Sequence, residues 1–495
     1  MSGVLGTTAY TDYFDVQGGT RQGAITCAMP AGSLAGALVS SFIADRFSRK
    51  KAIMTASVIW ILGSLLQVTA IGIGPLVIGR VVAGIAVGIA SSIVPVYQAE
   101  IAPKEIRGRV VSLQQWAITW GILIQYFIQY GASFTGGGPK NPTQGSAAFR
   151  IPWGVQIVPA VALFIAMLFF PYSPRWLAGQ DRWDEAINVL ADLHCGGDMT
   201  HPKVLAEYQE IEEAFRFEKE EATSSFAALV KPRILKRVFL GMSIQMWSQL
   251  SGINILMYYV VYVMEAANIG DPLLAASVQY ILNVVLTLPA ILFLDKWGRR
   301  PLLLIGSFWM TALLLVVGVL EATYGQASHA PPPDPLSAIS WKLEGHPDVS
   351  KAVVACSYLF VCVFAVTWGP TSWTYPSEIF PSQVRAKAVS LATASNWAWN
   401  CILAFAVPPL LWSINWKMYM IFAAFNASAF IHMFFTAPET KGKTLEEMDE
   451  VFDRGLPAWK PVPKGSRLDS LTRKIEEEGF KVRIPQTAFA AETKK

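Results

Sequence analysis

Apolar runs of roughly twenty residues, each closed by a polar loop, recur along most of the chain. A run of that length crosses the hydrocarbon core of a bilayer as a helix. Eleven runs stand out, at about 22–44, 52–71, 75–98, 112–131, 153–171, 238–263, 273–294, 301–322, 352–375, 386–408 and 414–436. Helices are the elements they predict, because a single span in lipid must satisfy its own backbone hydrogen bonds. The long polar stretch 172–237, with "EYQEIEEAFRFEKEEA", predicts amphipathic surface helices linking two membrane halves. The stretch 323–350, with "HAPPPDP", reads as a Pro-stiffened external loop.

Charge alternates between the loops. "DRFSRKK" (45–51), "APKEIRGR" (102–109), 172–237, "DKWGRRP" (295–301) and "PSQVRAK" (381–387) are rich in Lys and Arg, and the loops between them are poor. Short basic loops stay in the cytoplasm. That rule places this set inside, the tail 437–495 inside with it, and residues about 5–21 outside.

Composition agrees. Hydrophobic residues make up 53% of the 495 and charged residues 15%, against about 25% charged in soluble domains. This excludes a string of soluble domains. A net charge of +4 calls for no nucleic-acid partner. Cys27, Cys195, Cys356, Cys362 and Cys401 form no CxxC or Cys/His cluster, and four of them lie in apolar runs. Neither a disulfide framework nor a metal is expected. With no nucleophile elbow or phosphate loop, no enzyme and no cofactor are expected either. Asn426-Ala-Ser428 fits the glycosylation pattern but lies inside an apolar run, which discounts it.

The chain also contains itself twice. "EIAPKEIRGRVVSL" (100–113) aligns without gaps on "EIFPSQVRAKAVSL" (378–391), and "ADRFSRK" (44–50) answers "LDKWGRR" (294–300). Duplicated halves with a midplane site between them are a common transporter plan. In the second half "DKWGRR" follows the second of six runs. In the first, "DRFSRK" follows the first visible run. One span is therefore expected before residue 22, and the opening "MSGVLGTTAYTDYFD" reads as its end. This predicts a chain shortened at its N-terminus, lacking most of a first helix.

Nine segments then carry a family resemblance: "DRFSRKK", "GRVVAGIAVGIASSIVPVYQAEIAPKEIRGR", "SLQQWAITWG", "PYSPRWL", "WSQLSGINILMYY", "DKWGRRP", "WGPTSWTYPSEIFPSQVRAKA", "SNWAWN" and "PETKGKTLEEMDEVF". In this order they resemble the sugar porter branch of the major facilitator superfamily, most of all the fungal high-affinity glucose and hexose transporters. The resemblance implies an all-α membrane protein of two six-helix bundles related by pseudo-two-fold symmetry. About eleven spans are present in full, with the end of the first. It implies domains at 1–171 (N-terminal bundle), 172–237 (cytoplasmic linker), 238–436 (C-terminal bundle) and 437–495 (cytoplasmic tail). It also implies alternating access around one central sugar site.

A sugar offers hydroxyls around its rim and C–H faces above and below. Its site needs neutral amides and an aromatic plate rather than ions. Run 238–263 holds Gln245 and Gln249 one helical turn apart, then Asn254 and Tyr258. On a regular helix Gln249 and Asn254 point roughly 140° apart. Gly252 can loosen the helix and let them converge. Gln279 and Asn283 share a face of the next run, as do Asn396 and Asn400, with Trp397 beside them. Gln114 and Gln115 open run 112–131, and Trp373 follows Gly369-Pro370, a helix breaker. The bland reading of any one amide is an interhelical hydrogen bond. By resemblance, Gln115, Gln249, Asn254, Asn283, Trp373, Asn396 and Asn400 fall on sugar-contact positions, and Tyr258 and Trp397 on the pocket wall. Ser248 and Ala365 depart from the family pattern and weaken any assignment of the preferred sugar.

Arg80 lies inside run 75–98, where a charge is costly and marks function by default. The alternative is snorkelling to the interface. In proton-coupled relatives its counterpart pairs with an Asp of the first helix, so the shortened chain predicts an uncompensated Arg80 and poor coupling. Asp45, Arg46, Arg49, Glu100, Arg107 and Arg109 form one basic-loop cluster. Asp295, Arg299, Arg300, Glu378 and Arg385 form its repeat. By resemblance these are a cytoplasmic gate of exchanging ion pairs. Here too the chain departs from the pattern, with Ser48 for a usual Gly and Tyr172 for a usual Glu.

The expectation is a plasma-membrane transporter that moves a monosaccharide, glucose or another hexose, by H+ symport, with sugar, proton and lipid as its partners. The alternatives are an uncoupled facilitator, a porter of another sugar, polyol or quinate, and a glucose sensor that does not transport.

Overall fold

The computed structural model describes residues 8–14, 19–136, 144–220, 229–258, 272–327, 341–343, 345–381, 384–445, 447–453, 457–460 and 467–478. Its helices run in chain order. They begin α1 (Thr8–Tyr13), α2 (Gly19–Phe47), α3 (Arg49–Val68), α4 (Ile73–Ile101), α5 (Arg107–Ser133), α6 (Ala147–Val155) and α7 (Ile157–Phe169). The polar stretch forms α8 (Pro174–Gly179), α9 (Trp183–Cys195) and α10 (Pro202–Glu220). The second half holds α11 (Pro232–Leu250), α12 (Ile253–Tyr258), α13 (Pro272–Trp297) and α14 (Arg299–Tyr324). It continues with α15 (Pro347–Val366), α16 (Trp368–Glu378), α17 (Arg385–Ile414) and α18 (Lys417–Thr436). The tail adds α19 (Met448–Asp453) and α20 (Arg467–Glu478). Inside the expected loop, β1 (Gln326–Ala327) and β2 (Trp341–Lys342) pair antiparallel.

Among the described residues, eight helices are long and apolar enough to cross a membrane. α5, α11 and α17 are not among them, although all three fall on apolar runs. They carry Gln114 and Gln115, Gln245 and Gln249, and Asn396 and Asn400, amides that lower their hydropathy, and α11 also opens with Arg233, Lys236 and Arg237. The polar groups that make a span useful also make it hard to recognise by hydropathy.

Packing between spans gains little from the hydrophobic effect, because lipid is as apolar as the side chains. Small residues let backbones close up instead. A Cβ on Gly32, Gly36, Gly84 or Gly88 would collide with a backbone carbonyl of the facing helix in the α2–α4 pair. The two halves meet along two seams. One sets α2 against α17, from Gly23 beside Phe405 to Asp45 beside Lys387. The other sets α5 against α13, where the Tyr126 and Tyr280 rings lie 4.8 Å apart and Trp116 donates to the Val284 carbonyl at 3.2 Å. The first seam corrects the cysteine expectation. Cys27 and Cys401 join as a disulfide across it, with Cα atoms 5.3 Å apart. They lie 374 residues apart, so spacing alone carries no sign of the pairing.

α9 and α10 build a small core of their own from Ile187, Leu190, Val204, Leu205, Tyr208 and Ile211. Ile475 of α20 packs against it, and Lys104 pairs with Asp469 at 2.5 Å. The tail is thereby tied to the basic end of the bundle.

Candidate functional site

The site begins with a broken helix. α11 stops at Leu250, and Gly252 sits at φ +93°, a conformation that favours glycine. A Cβ there would also press on the Phe422 ring at 3.2 Å. α12 restarts at Ile253, and Asn254 turns back onto Gln249. Asn426 of α18 secures the break by donating to the Ser251 carbonyl at 2.9 Å and the Phe422 carbonyl at 2.8 Å. Asn426 is thus a structural member of the site, which its sequence pattern does not suggest. An amide inside an apolar run is the one signal that points to it.

Gln249 is the hub. Its Oε1 accepts from Asn254 Nδ2 and, at 3.0 Å, from Asn400 Nδ2. Its Nε2 donates to Asn396 Oδ1 at 2.7 Å. Four of the expected residues, on three helices, thus form one buried amide network. On α5, α11, α13 and α17, the side-chain carbonyl oxygens of Gln114, Gln245, Asn283 and Asn400 are buried and accept no hydrogen bond among the described residues. A buried acceptor left unmet costs about 1–3 kcal/mol, and a hydroxyl-rich guest could satisfy it.

The remaining candidates lie on α5, α12, α13, α16 and α17. Gln115, on α5, brings its Nε2 to 3.4 Å from where a Cβ on Gly369 would stand, so one half touches the broken span of the other. Gln245 Nε2 donates to the Ser372 carbonyl of α16 at 2.9 Å. Trp373 follows on α16, half-buried. Trp397, also half-buried, donates its indole N–H to Ser91 Oγ of α4 at 3.0 Å. Gln279 is buried and donates to Met257 Sδ at 3.1 Å. The Tyr258 side chain lies outside the described residues.

Arg80 is buried, at 4% exposure, and it does not stand alone in the span: it has an interaction partner, and its charge reaches the Tyr10 hydroxyl of α1. Tyr10 is itself buried among Phe14, Phe149 and Trp153, which holds α1 against α6.

At the basic end the two clusters interlock. Arg49 reaches Glu100 at 3.2 Å and Asp45 at 3.5 Å. Arg299 grips Glu378 with two bonds of 2.7 and 3.1 Å and reaches Asp295 at 3.0 Å. Among the described residues, ion pairs cross between the halves: Asp45 with Lys387 at 3.5 Å, Asp295 with Arg109 at 3.5 Å, and Glu100 with Arg385 at 4.0 Å. Arg107 donates to the Lys443 carbonyl of the tail at 3.3 Å. Arg300 donates to the Phe434 carbonyl at 3.1 Å. Arg46 stands apart, exposed, with its guanidinium over the Phe47 ring. Beside the cluster, burial works against the Glu105 carboxylate. Its backbone amide and Lys203 outweigh this and hold it below the ordinary carboxylate range.

Two members lie outside the sequence-derived set. Lys387 is the repeat partner of Arg109, so the internal alignment already contains it. Glu439, in "PETKG", accepts from the backbone N–H groups of Arg299 at 3.0 Å and Arg300 at 3.1 Å, capping α14.

A family model described as "Sugar (and other) transporter" matches residues 7–452. The chain is 66% identical to the MFS glucose transporter mfs1 of Aspergillus flavus, over 97% of this chain and 91% of that one. It is 40% identical to a high-affinity glucose transporter of Kluyveromyces lactis, over 97% and 86%. The high glucose sensor RGT2 of Saccharomyces cerevisiae is 33% identical, over 85% and 53%. Among solved structures, the major facilitator proton:xylose symporter XylE bound to 6-bromo-6-deoxy-D-glucose superposes with a TM-score of 0.76. It is 24% identical, over 91% of this chain and 95% of that one. The inward-open XylE from E. coli gives 0.64 at 25% identity, over the same shares.

Proposed function

The chain belongs to the sugar transporter family of the major facilitator superfamily, and on that footing we propose that it carries a hexose, glucose first, across the plasma membrane together with a proton. Sugar transport and multi-pass membrane insertion come with the family; the hexose, the proton and the membrane are our reading.

The amide network around Gln249 carries the reading. It is neutral, buried and rich in both donors and acceptors, and these are the groups that trade hydrogen bonds with sugar hydroxyls. We assign sugar contacts to Gln115, Gln249, Asn254, Asn283, Asn396 and Asn400, with Trp373, Trp397 and Tyr258 as aromatic walls. A guest replaces the bonds within the network one for one, so entry need leave no buried amide unpaired. Relatives named as glucose transporters, at 66% and 40% identity against 33% for a glucose sensor, favour transport over sensing.

For the proton, Arg80 is the candidate: a cation buried inside a span, whose fixed charge favours the ionised form of any nearby acid and so ties that acid's protonation to the state of the span. For orientation, the basic end faces the cytoplasm, as does the tail, by the positive-inside rule. We take the chain as four units, 1–171, 172–237, 238–436 and 437–495. The ion pairs that bridge the halves at the basic end then form the inner gate, with Asp45, Arg49, Glu100, Arg107, Arg109, Asp295, Arg299, Arg300, Glu378 and Arg385 as members. Arg46 belongs to the same loop but is a weaker candidate, being exposed.

Labelled-glucose uptake in a yeast lacking hexose carriers tests this. Saturable uptake is expected, reduced by a protonophore and by raising external pH. A protein that reaches the surface yet takes up no sugar would sink the transport reading, and uptake indifferent to pH would leave an uncoupled facilitator. Asn254→Ala removes one donor from the hub and should raise the KM for glucose by about fivefold or more at unchanged surface abundance.

A further inference from the structure

α15 and α16 are one span broken at Thr367, which sits at φ −115°, ψ −81°. The break rests on α14. A Cβ on Gly306 would collide with Thr367 Oγ1 and stand 2.8 Å from Trp368 Cδ1, so only glycine admits the bend at this distance. Trp368 is then buried, at 1% exposure. Its single donor, the indole N–H, is shared between the Leu303 carbonyl at 3.1 Å and Ser307 Oγ at 3.0 Å. Ser307 in turn donates to Leu303 at 2.8 Å. A large ring and a small hydrogen-bonded seat therefore lock one end of α16 to a helix that carries none of the sugar candidates.

The other end of α16 is locked to the same helix. Glu378 closes α16 and binds Arg299 at the start of α14. Between the two anchors lie Gly369 against Gln115, Ser372 accepting from Gln245, and Trp373. At 1.5 Å per residue, Trp373 is about 7.5 Å along the helix from Trp368, and Glu378 about 15 Å. The short helix is thus a strut clamped at both ends on α14, with the sugar wall in its middle.

We infer that Trp368 is a positioning residue for sugar: its seat on Gly306, Leu303 and Ser307 sets where α16 presents Trp373 and the Ser372–Gln245 contact to the site. The inference deepens the sugar-transport reading and rests on it. It gives α14, which contributes no sugar-contact candidate, a part in affinity.

Glucose uptake tests it with Trp368→Phe, which keeps the plate and removes the N–H, and Ser307→Ala, which removes one of the two acceptors. Surface abundance is measured alongside. Trp368→Phe is expected to raise KM about tenfold, because the N–H that ties α16 to both Leu303 and Ser307 is lost. Ser307→Ala should raise it about threefold, because the indole keeps Leu303. The double variant should be no worse than Trp368→Phe alone, since both act on one shared bond. A merely structural role lowers surface abundance and leaves KM alone. Unchanged KM in Trp368→Phe at normal abundance overturns the inference. If that variant does not reach the surface, unchanged KM in Ser307→Ala overturns it. Absence of saturable uptake by the unmodified chain sinks the transport reading, and this inference with it.

Discussion

The two clusters at the basic end are repeats of one plan, and their differences come down to a few side chains. The shared wiring is close. Tyr97 donates to the Pro171 carbonyl at 2.6 Å, and Tyr375 to the Pro438 carbonyl at 2.8 Å. Ser173 donates to Glu100 at 2.5 Å, and Thr440 to Glu378 at 2.8 Å. Arg49 answers Arg299, and Asp45 reaches across to Lys387 as Asp295 reaches across to Arg109.

The first difference is Gly108 against Ala386. Asp295 accepts from the backbone N–H of Gly108 at 3.1 Å and of Arg109 at 3.0 Å, so a carboxylate sits on the N-terminus of α5. A Cβ at Gly108 would collide with that carboxylate. The matching position at the start of α17 is Ala386, and there Asp45 keeps only the longer Lys387 pair and Arg49. Asp295 is docked on two amides, where Asp45 has only side-chain partners among the described residues. The second difference is Glu439 against Tyr172. Glu439 caps the first amides of α14, where a carboxylate also suits the helix dipole. Tyr172 instead stacks on Trp176 and receives the Lys50 cation on its face, 5.2 Å from the centroid. Ser48, at φ +98°, supplies the cap of α3 by accepting from the Lys51 N–H at 3.2 Å. The second-half cluster is the more tightly bonded of the two. The first-half cluster stores some strain, because a non-glycine residue is disfavoured at positive φ.

The largest expected effect separates the arginines. Arg299→Ala leaves Glu378 buried without its cation and Asp295 with Arg109 alone, and should cost about 3–5 kcal/mol. Arg49→Ala should cost about half as much, its pairs being longer. Thermal unfolding of the purified protein measures both, and equal losses would break the contrast. Next come the small residues. Gly108→Ala should displace Asp295 from the α5 amides and cost about 2–3 kcal/mol, with slower uptake. Ala386→Gly, which opens the matching space for Asp45, should be close to neutral in stability. If Gly108→Ala behaves like its counterpart, the docked carboxylate is not what stiffens the second cluster. The smallest effect belongs to Tyr172→Glu. A carboxylate near the start of α3 gains about 0.3–1 kcal/mol from the dipole and loses the stacked ring. The net should lie near zero alone and turn stabilising with Ser48→Gly, which frees the cap position.

Much of this architecture is legible in the amino-acid sequence. The runs at 22–44, 52–71 and 301–322 are apolar over a bilayer's thickness, so periodicity and length suffice to identify them as helices. The clusters of Asp, Glu and Arg recur in register, so the repeat announces them. Gln249 and Asn254 stand out as amides with no business in lipid, and Gly252 as the residue able to turn them together. Lys387 is visible in the repeat, though it stands opposite an arginine and not another lysine. Asn426, Ser307 and Trp368 give little sign, because each acts on a neighbour far away in sequence.

What the chain carries along its length is therefore one-dimensional: where helices run, which way their loops face by charge, that the halves are copies, and which polar groups are placed where lipid would punish them. These follow from transfer free energies and local backbone preferences, which each residue brings with it. Pairing is settled only in three dimensions: that Gln249 is the hub and not Gln245, that Asp295 docks on α5 while Asp45 has only side-chain partners, and that Cys27 meets Cys401. Such outcomes depend on the last ångström between two helices. A single Cβ, at Gly108 or Gly306, sets that distance, and no pattern along one strand of sequence encodes what stands opposite.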